Sequence, residues 1–106
     1  MTDHRLIDLP NIGAYSAHEL ERVDIVTAHD LRQLGAVQAY HRIWFHAERK
    51  PTENLLWALA GALDGRHWKS YDYHEKQALL NALEAHRKAQ TLRDELQAKV
   101  ALKLSG

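Results

Sequence analysis

The 106-residue chain has no cysteine. A disulfide framework and a thiolate zinc site are therefore excluded, and a reducing cytoplasm is the expected setting. Proline is scarce, with two residues, and so is glycine, with five, so each backbone break carries information. No apolar run approaches the ~20 residues that a membrane-spanning helix needs, and no membrane association is expected. Met1-Thr2-Asp3-His4-Arg5 lead into no apolar core, so no secretory signal is expected either. An excess of charge of one sign is also missing. Lys and Arg number 14, and so do Asp and Glu. Residues 1–50 hold six basic and seven acidic side chains, and residues 51–106 hold eight and seven. Non-specific nucleic-acid affinity comes largely from net positive charge, so this balance argues against a strong, autonomous DNA binder. Eight histidines would make the chain cationic only in mild acid. Strand signal is lacking too: β-branched residues are few and no period-2 run is sustained.

What remains is helical periodicity with marked ends, at an apolar content of 45% that fits one globular core. The expected fold is all-α, with five to six helices, a helix-hairpin-helix-like N-terminal part and a long C-terminal helix. The organising stretch is Leu6-Ile7-Asp8-Leu9-Pro10-Asn11-Ile12-Gly13-Ala14-Tyr15-Ser16-Ala17. Leu6 and Leu9 share a helical face, and Pro10 stops that helix. Asn11 and Gly13 tolerate the left-handed backbone that a tight hairpin uses. A second helix then runs from about Ala14 to Arg22. Thr27 with Asp30 forms a capping box for a helix over 28–34, closed by Gly35. The segment 25–35 echoes the first hairpin without its Pro-x-x-Gly corner. Helix 36–47 follows, and Glu48-Arg49-Lys50-Pro51 reads as a polar break. The segment 54–63 is apolar almost all round and should be the buried helix. Gly61 inside it costs about 1 kcal/mol of propensity against alanine and suggests close helix–helix contact. Trp44, Trp57 and the Leu55/Leu56/Leu59/Leu63 stripe read as core.

Arg66-His67-Trp68-Lys69-Ser70-Tyr71 reads as a loop, and Asp72 with Glu75 forms a second capping box. From Asp72 to Leu104 there is neither Pro nor Gly. One helix over that stretch would span roughly 50 Å and would overhang a globule whose radius of gyration is about 13 Å. On a helical wheel Leu79, Leu80 and Leu83 lie more than a quarter turn from the face of Leu92, Leu96, Val100 and Leu104. Hence residues 1–85 are expected to form the domain, with 86–106 a C-terminal extension acting as a dimerisation arm through Leu92, Leu96 and Val100.

Two readings of the hairpin stand side by side. In one, backbone N–H groups around Asn11, Ile12, Gly13 and Ala14 hold a phosphate at the helix start, with Ser16 as a hydroxyl donor and Arg22, Arg66 and Lys69 as auxiliary cations. In the other, the corner only joins two core helices. No Lys or Arg occurs from Leu6 to Glu21, whereas Asp8, Glu19 and Glu21 do, which favours the joint. The segment Arg66-His67-Trp68-Lys69 could contact an anion or stack on a base, but a Trp at an element end is more often a packing anchor while the cations stay solvated. His41 and His46 lie five apart, about 140° round a helix, so they do not make the i,i+4 metal pair. No metal site and no cofactor are expected. Neither a nucleophile elbow, a phosphate loop nor a carboxylate pair is visible, so no enzymatic activity is expected.

Over Leu6 to about Ala85 the chain resembles the C-terminal domain of the TfoX/Sxy family of bacterial competence regulators. The carrying residues are Leu9-Pro10-Asn11-Ile12-Gly13, Ser16-Ala17, Asp30-Leu31-Arg32-Gln33-Leu34-Gly35-Ala36, Asn54-Leu55-Leu56-Trp57-Ala58-Leu59, Gly61-Ala62-Leu63 and Gly65-Arg66-His67-Trp68. The resemblance implies an all-helical fold with helix-hairpin-helix-like elements. It also implies a role in transcriptional control of DNA uptake, alongside the cyclic AMP receptor protein. Larger family members carry another domain in front, and the helix after Ala85 lies outside the resembling pattern. The expectation is a cytoplasmic regulatory module acting through protein partners, transcription machinery or an activator, with weak joint DNA binding. The alternative is a purely structural or protein-interaction domain that forms a homodimer and has no nucleic-acid role.

Overall fold

The structure, a computed structural model, describes residues 4–105. Five α-helices occur among them: α1 (Ala14–Glu21), α2 (Ala28–Leu34), α3 (Ala36–His46), α4 (Glu53–Asp64) and α5 (Tyr73–Ser105). Short 3-10 turns cover Leu6–Asp8 and Trp68–Ser70. No strand forms among the described residues. An isolated antiparallel bridge pairs Arg5 with Thr27, and the Ala28 N–H donates to the His4 carbonyl at 3.0 Å, tying the N-terminal segment to the start of α2.

The helix ends follow their side chains. Thr27 Oγ1 accepts from the Asp30 N–H at 3.1 Å, and the Asp30 carboxylate accepts from the N–H groups of Val26 at 3.0 Å and Thr27 at 3.1 Å. Those two backbone donors hold the Asp30 carboxyl below its ordinary range. The second box is equally complete: Asp72 Oδ1 accepts from the Glu75 N–H at 2.8 Å, and Glu75 Oε1 accepts from the Asp72 N–H at 3.1 Å. Gly35 (φ +84°) separates α2 from α3, and Gly65 (φ +72°) ends α4 in the left-handed region. Asp24 (φ +66°) makes the turn between α1 and α2.

The core forms round α4. Leu56 and Leu59 are wholly buried there, with Trp57, Ala60 and Ala62 beside them. They pack with Ala39, Tyr40 and Ile43 of α3 and with Leu6, Ile12, Leu20, Ile25 and Leu31 from the N-terminal elements. At about 25 cal/mol per Å² of apolar surface removed from water, this burial is the main stabilising term. Trp44 is half-buried and packs against the cluster. The first half of α5 closes the core through buried Leu83, with Leu79 and Leu80 against it. His86 and Arg87 still lie against α3, at 4.9 Å from the His41 ring and 4.7 Å from the Trp44 ring, and from Thr91 to Leu104 α5 is exposed. Leu92, Leu96 and Val100 are 59%, 61% and 55% exposed. The molecule measures 52 × 34 × 29 Å, with a radius of gyration of 15.8 Å, larger than the ~13 Å of a compact chain this long.

Three local expectations need correction. Gly13 is not left-handed: at φ −96° and ψ −173° it is the extended residue that starts α1, and only Asn11 (φ +66°) turns the corner. Gly61 does not mark a helix–helix crossing. A Cβ there would collide with the Arg66 carbonyl oxygen and the Asn11 side-chain nitrogen. The stretch after Arg66 is not plain loop, because residues 68–70 close a 3-10 turn through the Ser70 N–H to His67 carbonyl bond of 3.0 Å.

Candidate functional site

The hairpin is held by one side chain. Asn11 Nδ2 donates to the carbonyls of Arg66 at 2.9 Å and Ala58 at 3.3 Å, and its Oδ1 accepts from the Trp68 N–H at 3.2 Å. The corner is thereby fastened to α4 and to the segment after it, and Gly61 leaves the space that this requires. Ile12 is buried, and its N–H donates to the Leu9 carbonyl at 3.4 Å. Gly13 and Ala14 are exposed, and among the described residues no acceptor meets their N–H groups.

Beside this corner lies an open groove of about 650 Å³. Asn11, Tyr15 and Ser16 form one side, Leu55 and Ala58 of α4 line it, and Arg49, Lys50, Pro51, His67 and Trp68 complete it. No carboxylate lines it, in a chain whose acidic and basic residues are equal in number. Its basic side chains differ in freedom. Lys50 Nζ donates to the carbonyls of Trp44 at 2.7 Å and Ala47 at 3.1 Å and lies 4.5 Å from the Trp44 ring centre, so it caps α3. His67 Nδ1 accepts from the Lys69 N–H at 3.0 Å, and its ring lies against Trp68. Arg49 is exposed and unpaired among the described residues.

The remaining candidates are dispersed. Arg66 grips Glu75 through both guanidinium nitrogens, at 2.5 and 3.1 Å, and donates to Ser70 Oγ and the Ser70 carbonyl at 2.8 and 2.7 Å. It also covers the Tyr71 ring at 4.1 Å. This guanidinium locks the 66–71 segment onto α5, and its bonds hold the Glu75 carboxyl below the usual carboxylate range. Tyr71 is buried and donates to Asp64 Oδ2 at 2.7 Å; burial first, then that bond, drive its phenol far above the ordinary value. Lys69 lies 5.5 Å from the Trp68 ring, outside the groove lining. Arg22 sits at the opposite end of α1 from Gly13, 3.7 Å from Glu19. The structure therefore brings Asn11 and Ser16 to the groove and leaves Gly13 and Ala14 exposed at the start of α1. It puts Ile12 in the core, gives Arg66 to the fold, and sets Arg22 and Lys69 apart. Leu92, Leu96 and Val100 lie together on α5, far along its free half.

Sequence reading missed Tyr15 and Arg49. Arg49 stands in what looked like a polar break, and nothing local shows that this break folds back beside the hairpin. His41 does not meet His46 but packs on His86, with ring centres 4.9 Å apart. No group of three or more His, Cys, Asp or Glu converges among the described residues, and no described helix is long and apolar enough to cross a membrane.

The fold and groove define an all-helical domain built on a side-chain-latched hairpin, with a projecting helix behind it. The model of the TfoX C-terminal domain matches residues 2–83, and the chain belongs to that family. The DNA transformation protein TfoX1 of Aliivibrio fischeri is 30% identical over 78 residues, covering 74% of this chain and 37% of that protein. The chain thus spans little more than a third of that relative. Two crystal structures of Listeria monocytogenes proteins of unknown function share the fold. One, in a triclinic form, has a TM-score of 0.68 at 30% identity, covering 78% of this chain and 93% of its own. The other, in a tetragonal form, has 0.67 at 31%, covering 76% and 98%.

Proposed function

We propose that the chain is a non-enzymatic regulatory module of transformation competence in the cytoplasm, and that it works by docking an acidic, partly apolar segment of a protein partner into the hairpin groove. Family membership and the name of the Aliivibrio relative support the setting. The observation that carries the mode of action is the groove's lining: no carboxylate, a free Arg49, and apolar surface from Leu55, Ala58 and Trp68. Apolar lining beside unopposed cations suits a peptide that carries both carboxylates and apolar side chains. A phosphate backbone would leave the apolar lining unused and would meet Arg49 as the free arginine of the groove. Arg66 belongs to the Glu75 pair and Lys50 to the end of α3.

A second reading, weak binding to DNA jointly with a partner, draws on the unpaired N–H groups of Gly13 and Ala14 at the start of α1. Fluorescence anisotropy separates the two. The probes are a labelled peptide alternating Glu with Leu and Phe, and a labelled duplex, both at low salt. The expected result is saturable peptide binding that weakens at least five-fold in Arg49→Glu, with little duplex binding. Tighter duplex binding that collapses with added salt and weakens in Lys69→Glu would replace the first reading by the second.

A further inference from the structure

The free half of α5 carries an apolar seam that nothing in the chain covers, and its neighbouring surfaces complement one another end to end. With Leu96 at zero on the helical wheel, Ala89, Leu92 and Val100 fall within roughly 40°, whereas Leu83, which faces the core, falls at roughly 140°. The seam thus points away from the domain. The family match stops at residue 83, which is also the last fully buried residue of α5. The spacings Ala85, Ala89, Leu92, Leu96 and Val100 run four, three, four, four, so the stripe stays on one side of the helix and drifts slowly round it.

We infer that this seam is covered by the same seam of a second copy of the chain, running antiparallel about a two-fold axis at Leu96. That register sets Leu92 against Val100 of the partner subunit. On one flank it brings Glu95 within reach of Lys99 of the partner subunit. On the other flank Leu104 of the partner subunit comes alongside His86 and Gln90. A groove of about 460 Å³ opens there between α3 and α5. Arg42, Arg93 and three histidines line it, with Asp94 as its only carboxylate, and Phe45 stands 65% exposed at its side. Phe45 offers Leu104 of the partner subunit an apolar neighbour there. The arrangement is self-complementary, as a two-fold interface must be. Two arms packed this way would bury on the order of 1,000 Å², the lower bound for a specific interface, so a dimer formed in the micromolar range is expected.

Sedimentation of the full chain over 1–200 µM, with engineered crosslinks, tests this. The chain has no cysteine of its own, so a single Leu96→Cys reports the axis. The expected result is a concentration-dependent dimer, a disulfide-linked dimer from Leu96→Cys on mild oxidation, and none from Leu92→Cys alone. Leu92→Ser with Leu96→Ser should weaken the dimer at least ten-fold while circular dichroism shows the helix content kept. Glu95→Lys should weaken it, and adding Lys99→Glu should restore it. A monomer throughout the range would overturn the inference, as would a dimer indifferent to the serine pair. Crosslinking from Leu92→Cys as readily as from Leu96→Cys would also overturn it, since only a parallel pair does that.

Discussion

At the residue scale the fold depends most on Asn11. Its amide makes three long-range hydrogen bonds, and its backbone occupies the left-handed region at φ +66°. Asn11→Ala removes all three bonds and puts a Cβ residue without a compensating side chain into that conformation. With each net bond contributing about 1 kcal/mol and the backbone penalty about 1–2 kcal/mol, the loss should reach about 3–5 kcal/mol. A thermal melt should fall by more than about 10 °C. Asn11→Gly should recover the backbone part and sit between the two. A melt of Asn11→Ala within ~2 °C of the parent would contradict the latch. Gly61→Ala forces a methyl into the Arg66 carbonyl and the Asn11 amide and should cost about 1–3 kcal/mol by urea titration. Gly13 is the counter-example: a Cβ there meets nothing within 4 Å, and Gly13→Ser should be neutral or gain a few tenths of a kcal/mol as a helix cap. Sequence alone marked Asn11 as a turn residue because its backbone tolerance is intrinsic. That its amide reaches residues 47 to 57 positions away is a property of the assembled fold.

At the scale of elements, helix starts and stops were legible because capping chemistry is local. Thr27 with Asp30, Asp72 with Glu75, Gly35 and Gly65 all act where their spacing places them. The split character of α5 was legible too, since the wheel separates Leu83 from Leu96. Long-range pairings were not. Arg66 looked like a free cation because Glu75 is nine residues away with a turn between them, and His41 meets His86 from another helix. That last contact has a pH consequence. Burial against α5, then the neighbouring His86 and Arg87, hold His41 below its ordinary value of 6.5. The unfolded chain therefore takes up this proton at higher pH than the folded one does. Stability from this site is complete above about pH 6.5 and declines as the pH falls through the lower folded value. The urea midpoint should drop between pH 7.5 and 5.5, a window above the titration of Asp8, Asp30 and Glu75, whose carboxyls are held below their usual values. His41→Gln should flatten that dependence. An equal drop in His41→Gln would place the acid sensitivity elsewhere.

At the scale of the whole molecule, the body and the free arm of α5 present different chemistry. Leu83 closes the core, and His86 and Arg87 still pack on His41 and Trp44 of α3, so a chain ending after Gln90 should keep the parent's melting temperature to within a few degrees while losing any self-association. The groove of the body was the least legible feature, because its lining comes from the hairpin, the break after α3, helix α4 and the segment after it. Only folding brings Arg49 beside Tyr15 and Trp68. This acid-free groove, and not the backbone of the hairpin corner, is the contact surface we propose for a protein partner. Backbone amide chemical shifts of the full chain test it most directly, titrated first with the Glu/Leu/Phe peptide and then with a short duplex at low salt. The account predicts that the peptide shifts Tyr15, Ser16, Arg49, Leu55 and Trp68 together, while the duplex leaves Gly13 and Ala14 unmoved. Shifts confined to Gly13 and Ala14 on adding the duplex, with the groove silent to the peptide, would contradict it.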